Sequence, residues 1–487
     1  MKAAAKKTPT ASIYTWTDDP GAGANPGGGT RIKRPTPKLG VAPFALAITR
    51  PAVAPTAKLY AAGTAGFRYW TAAEALRRAA DFWGSVLPGV HWQPGKSLPV
   101  DLDHGVDLNA FYDRVGLRFF HASAGGKTVY SGESPDVVAH ELGHAILDSI
   151  KPALWDAMSM EIGSFHESFG DMSGLLAALQ LAEVRSGVLA ETGGSIARNS
   201  RWSRLAEQLG WAIRLVAPDA VDADCLRNAA NSFSYRNPAS LPRSAPATQL
   251  SREVHSFSRV FTGAALDCLA GMLKSRPTAD SANLRIVSRD FAAILVAGIQ
   301  ASPVVTGFYA QVASHAVVAA EQLFPSSGYA AALKSGFMKH AILSPTAVAA
   351  VAGASTRDVA AAAEPEATTP ALESVDVRRY GLGVKDLYMV TAGQKDRFRS
   401  AASAVPSVES SEGSAADAAK GYLEDLISSG RIRSAGGAAR DMAVAAHPSS
   451  AWRVTHEIRS EGKKSVVRRL RVSCGLYECH CKAPSAP

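Results

Sequence analysis

Cysteine is scarce. Five residues in a chain of 487 are too few for a disulfide framework to carry the fold. Cys225 and Cys268 stand alone, while Cys474, Cys479 and Cys481 cluster near the end. Long apolar runs are missing as well. A membrane helix needs roughly 18 uninterrupted apolar residues, and the alanine-rich stretch 341–354 is broken by Ser344, Pro345 and Thr346. The start, Met1-Lys2-Ala3-Ala4-Ala5-Lys6-Lys7, is basic but has no apolar segment behind it, so no secretory leader is recognised. This predicts a cytoplasmic protein, or one exported by a route that needs no leader. Neither sign of charge dominates: +9 is mild for this length and partly local, eight Lys/Arg facing three Glu between Arg453 and Lys482. No internal repeat is present. What remains is 47% hydrophobic and 20% charged, a composition that builds a globular core and excludes disorder, collagen and coiled coil. The length suits two or three domains at roughly 100–200 residues each.

Residues 1–60 are rich in Gly, Pro, Ala and Thr and read as a flexible or irregular extension. A helix is expected from Thr71, where Thr71 and Glu74 match a capping box. Residues 98–130 read as strands and turns, and the chain from Pro135 to about Met338 is mainly helical apart from a loop-rich stretch at 228–250. An Ala/Pro/Glu-rich segment, 344–373, reads as a linker. It divides a domain at 61–343 from a small basic C-terminal α+β domain, 374–487, with a helix near Ala415–Ser428 and an alternating segment from Ser465.

One motif decides the chemistry. In His140-Glu141-Leu142-Gly143-His144, histidines at i and i+4 project from one helical face at a separation that suits a single Zn²⁺. Glu141 sits on that face as a general base for a metal-activated water. Ser134 is a natural N-cap with Pro135 at the first helical position. The metzincin spacing fails, because Leu147 and Ile150 stand where Gly and His are required. A third ligand from a following helix fits better. Glu167 lies 23 residues after His144, and Asp171, at i+4 from it, is placed to accept a hydrogen bond from a ligand histidine. Glu161 and His166 are the rival third ligands. This set predicts a zinc endopeptidase acting on protein or peptide substrates.

The stretch Asp136-Val-Val-Ala-His-Glu-Leu-Gly-His-Ala-Ile-Leu-Asp148 resembles the active-site helix of the thermolysin-like (peptidase family M4, gluzincin) zinc metalloproteases, and the resemblance covers roughly 65–345. It implies a two-lobed α+β fold, with a mixed α/β upper lobe, a helical lower lobe and the cleft between them. It implies that Asn109, Ala110 and Phe111 belong to an edge strand that binds the substrate backbone. It also implies that His255 stabilises the oxyanion and that Arg227 contacts a substrate carbonyl. There are departures. Leu250 stands where the family has the carboxylate orienting that histidine, with Glu253 as a substitute, and the catalytic tyrosine has at best Trp155 in its place. Asp136 matches a calcium ligand, but Ala178 stands at its partner's position, which argues against bound Ca²⁺.

Other features are weaker. Cys474, Cys479, His480 and Cys481 offer ligands for a second metal or thiols for one disulfide, in what reads as an exposed tail. Arg468, Arg469 and Arg471 beside Lys463 and Lys464 read as charges guarding an edge strand. No membrane span or nucleic-acid partner is expected. The C-terminal domain is expected to bind an anionic partner, recruit substrate, or regulate or occupy the cleft. A gluzincin exopeptidase would need an acidic amine anchor near Asn109-Ala110-Phe111-Tyr112, which is absent. The alternative is a catalytically weak or inactive fold that binds peptides.

Overall fold

A computed structural model describes residues 11–21, 29–353, 371–380, 382, 384–392, 415–434 and 450–475. The architecture is mixed α+β. Cys479, His480 and Cys481, and the 354–370 part of the expected linker, lie outside the described residues.

The N-terminal extension is more ordered than its composition suggests. Strands β1 (Ser12–Trp16) and β2 (Arg31–Pro35) pair antiparallel, and Ile13 and Trp16 are fully buried. Helix α1 (Ala65–Gly84) begins six residues earlier than expected, capped by Thr64, whose side chain accepts from Phe67 N–H. Thr71 is therefore inside the helix. Its hydroxyl bonds Thr15 at 2.9 Å and receives the Trp16 N–H at 3.1 Å. Glu74 pairs with Arg34 and Arg78. The residues that looked like a cap clamp the hairpin to the helix.

A five-stranded sheet follows in the spatial order β16-β5-β6-β4-β3. Its members are β3 (Leu46–Arg50), β4 (Leu98–Asp101), β5 (Ala110–Tyr112), β6 (Leu117–Phe119) and β16 (Val472–Ser473). β3, β4 and β6 run parallel, β5 is antiparallel to β6, and β16 is antiparallel to β5. The outermost strand thus comes from the far end of the chain. Two further antiparallel pairs form, the hairpin of β7 (His121–Ala124) with β8 (Lys127–Tyr130), and β9 (Arg204–Leu205) with β10 (Arg227–Asn228).

Helices fill the rest: α2 (Pro135–Ile150), α3 (Met160–Ala178), α4 (Ala182–Thr192), α5 (Glu207–Arg214), α6 (Val254–Lys274), α7 (Ser281–Ala301), α8 (Phe308–Leu323), α9 (Tyr329–Lys339) and α10 (Pro345–Gly353). α3 is buried along its whole length, packed between α2 and α6. No helix among the described residues is long and apolar enough to cross a membrane.

The C-terminal region forms a second mixed sheet, β11 (Ala371–Asp376), β12 (Asp386–Thr391), β15 (Lys464–Arg469), β14 (His456–Glu461) and β13 (Ile432–Ser434), in that spatial order. Helix α11 (Ala415–Ser428) packs on it through Ala419, Tyr422 and Leu423. The alternating segment is therefore interior rather than an edge: β15 lies between β12 and β14. Its arginines reach across to the first domain. Arg468 pairs with Asp156 at 3.5 Å as well as with Glu461, Arg469 Nε donates to the Trp155 carbonyl at 2.6 Å, and Arg471 lies over the Phe111 ring at 4.4 Å.

Candidate metal centre

Helix α2 forms as its sequence dictates: the Ser134 side chain accepts from Val137 N–H, Pro135 opens the helix and Asp136 lies in the first turn. One turn on, His140, Glu141 and His144 are all buried and form a group that could hold a metal ion. α3 runs across α2 and brings Glu167 in. Its Oε2 lies 3.4 Å from His140 Nε2, and its Oε1 3.9 Å from His144 Nε2. The first of these spacings matches that of two ligands on one ion, and the second is slightly wider. Ligands about 2.0–2.2 Å from one tetrahedral ion lie about 3.3–3.6 Å from each other. Both Nε2 atoms and Glu167 Oε2 are buried without a hydrogen-bond partner, a costly state for polar groups that a cation among them relieves. The residues fit a metal.

The surrounding charges prepare the ligands. Burial and the neighbouring His140 push His144 down to about 3, so it is neutral and able to ligate. Burial alone would lower His140 too, but Asp171 and Glu167 outweigh it and raise it to about 9. Burial also works against Glu167, yet His255 and the two motif histidines hold it well below the usual carboxylate range. Glu141 has the opposite balance. Burial pushes it up to about 8, above the ordinary value for a glutamate, a range useful to a general base.

A supporting layer fixes these groups. Asp171 Oδ1 lies 3.1 Å from His140 Nδ1, leaving Nε2 for the metal. Arg227, carried in by β10, grips Asp171 with contacts of 2.7–3.2 Å and is 4% exposed. Its guanidinium therefore forms a buried ion pair with Asp171. Glycine is required at position 170, because a Cβ there would lie 2.6–2.8 Å from His140 ring atoms.

His255, at the start of α6, completes the wall. Its Nδ1 meets Glu253 Oε1 at 2.7 Å and its Nε2 lies 3.4 Å from Glu167 Oε2. Glu253 thus does the orienting, and it also caps α6; Leu250 takes no part. Burial disfavours the imidazolium, but Glu167 and Glu253 outweigh it and raise His255.

The rival ligands are elsewhere. Glu161 accepts from Tyr235 Oη at 2.5 Å and from Tyr309 N–H at 2.9 Å. The His166 ring sits 5.9 Å from that of His144 and packs against Trp155. Trp155 turns its indole N–H to the Arg469 carbonyl. Asp136 accepts from Ala206 N–H at 3.1 Å, tying α2 to the start of α5.

Ala110 and Phe111 lie on β5 beside the site and Asn109 immediately precedes it, all three buried. Cys474 was expected in an exposed tail, but it is 1% exposed, and Glu141 is among the charges that act on its thiol. The expectation failed because the tail's burial depends on β5, far away in sequence. The usable signal was the apolar alternation leading through Val472 to that cysteine. No family model and no curated protein matches this chain.

Proposed function

We propose that this protein is a zinc-dependent endopeptidase of the thermolysin-like type. The observation that carries the reading is the trio of buried donor atoms from His140, His144 and Glu167, spaced for one ion and without hydrogen-bond partners. Two imidazoles and one carboxylate are a catalytic zinc set that keeps a position open, and when bound the ion supplies Lewis-acid activation of water and of the substrate carbonyl.

The chain's own residues do the rest. β5, with Asn109 just before it, offers backbone groups to an extended peptide, which adds to the sheet as a strand. Glu141 takes a proton from the attacking water and returns it to the leaving amine nitrogen. His255, doubly hydrogen-bonded and cationic, donates from Nε2 to the oxygen that gains negative charge. Asp171 keeps His140 in the right tautomer, and Arg227 keeps Asp171 ionised and in place. Retention of Glu141 and the Glu253–His255 pair favours this reading over a peptide binder without activity.

The test is cleavage of casein by zinc-loaded protein. Glu141→Gln is expected to lower the rate by about 10²–10⁴-fold while zinc still binds one per chain. Equal rates in wild type and Glu141→Gln sink the assignment of the base. Stoichiometric zinc without cleavage in any form, including the tail variants below, sinks the endopeptidase.

A further inference from the structure

The strand lying along β5 belongs to the protein itself. Val472 and Ser473 pair antiparallel with Tyr112 and Phe111, and Cys474 N–H donates to the Ala110 carbonyl at 3.0 Å. The Asn109 side chain holds the same segment, its Oδ1 accepting from Ser473 Oγ at 2.8 Å and from Gly475 N–H at 3.0 Å. His255 Nε2 donates to the Ser473 carbonyl at 2.7 Å. Each group assigned above to a substrate peptide is therefore already engaged by residues 472–475. Cys474, next after Ser473, is 1% exposed, and Glu141 is among the charges that act on its thiol.

The segment is anchored on both sides. Met158 and Met160 of the first domain share a hydrophobic cluster with Val375, Met389 and Tyr422. Arg431 reaches Glu253, the partner of His255, at 3.2 Å, and Asp425 meets Arg252 at 2.8 Å. The Trp155 and Arg469 backbone and side chains exchange two hydrogen bonds. The C-terminal domain is thus docked where it can feed its last described strand into the groove.

We propose that residues 472–475 are a built-in occupant of the peptide groove, that the Cys474 thiol serves as a further metal ligand, and that the folded chain is therefore a latent peptidase. The proposal rests on the metallopeptidase reading. With a metal bound, the Cys474 sulfur would serve as a further ligand as zinc-binding thiolates do, its proton leaving to solvent. Activation then requires the strand to leave β5, with no oxidant or reductant.

Gly475 supplies the means of displacing it. A Cβ at that position would lie 2.3 Å from the Leu108 carbonyl oxygen and 2.6 Å from Asn109 Oδ1, so Gly475→Val removes the strand from its seat. The experiment compares full-length wild type, Gly475→Val and Cys474→Ala, each loaded with zinc for casein cleavage and with Co²⁺ for absorption spectra. Circular dichroism controls for folding. Wild-type Co²⁺ protein is expected to show a sulfur-to-metal charge-transfer band that both variants lose, and Gly475→Val is expected to cleave at least ~10-fold faster. Should Gly475→Val misfold, Cys474→Ala reads the same two signals without a backbone clash. The band in wild type, lost in the variants, with no cleavage by any form, upholds the occupant and removes the endopeptidase reading. Absence of the band together with equal cleavage rates overturns the proposal. So does release of residues 474–487 on zinc loading, seen by intact mass, since the strand would then be a substrate.

Discussion

Gly170→Ala isolates how tightly the site is built. The added methyl lies 2.6 Å from His140 Cε1 and 2.7 Å from Nδ1, against an ordinary carbon contact of about 3.5 Å. The ring therefore has to retreat by about 0.9 Å. It has little freedom to do so, being held by Asp171 at Nδ1 on one side and by the His144 ring, 4.6 Å away, on another. Metal–ligand distances tolerate only about 0.2 Å, so the substitution is expected to weaken zinc binding about 10–100-fold, or about 1.4–2.8 kcal/mol. Helix propensity points the other way, since alanine is favoured over glycine by about 1 kcal/mol in a helix interior. Metal-free melting should accordingly change little, while the stabilisation added by zinc falls. Zinc affinity by chelator competition, paired with thermal unfolding of metal-free and loaded protein, separates the two effects. An affinity within twofold of wild type would show that the His140 ring is not pinned as described.

Two further predictions follow from the buried carboxylates. Asp171→Asn keeps the shape but loses the charge that faces both His140 and Arg227. Zinc affinity is expected to fall about 10-fold or more, and an unchanged affinity by the same competition assay refutes a role in holding the ligand. Glu161 is raised from the ordinary value of 4.5 to about 7 by burial, against the bonds from Tyr235 and Tyr309. A carboxyl whose folded value is raised costs stability as pH climbs from about 4.5 through 7, here by about 3 kcal/mol. Glu161→Gln, able to keep both hydrogen bonds, should gain on wild type by that amount between pH 4.5 and 8 in urea unfolding of the metal-free protein; a pH-independent difference refutes it.

What could be read from the sequence was whatever its own neighbours determine. The α2 boundary followed from Ser134 and Pro135, and the α11 bounds from a local apolar pattern. The grouping of His140, Glu141 and His144 followed from helical geometry alone. Glu167 was reachable because a single helical connection carries it back. The hairpin holding Trp16 was not legible, because Thr71, Glu133 and α1, which bury it, lie some fifty or more residues on. The pairing of Arg227 with Asp171 was not legible either, because 56 residues separate them. The seat of Cys474 depends on a pairing of Ser473 with Phe111, which no local periodicity encodes.

The shortness of β16 has a thermodynamic consequence. A free peptide binding through a two-residue strand would be held weakly, because association entropy exceeds what so few hydrogen bonds return. Covalent attachment changes the comparison, since a tethered ligand acts at an effective concentration on the order of millimolar. An incoming peptide at micromolar levels therefore competes against roughly a thousandfold excess of the resident strand. A backbone cut between 353 and 371 would leave every contact of the second sheet intact while ending that advantage, and blockade of the groove would become a function of dilution.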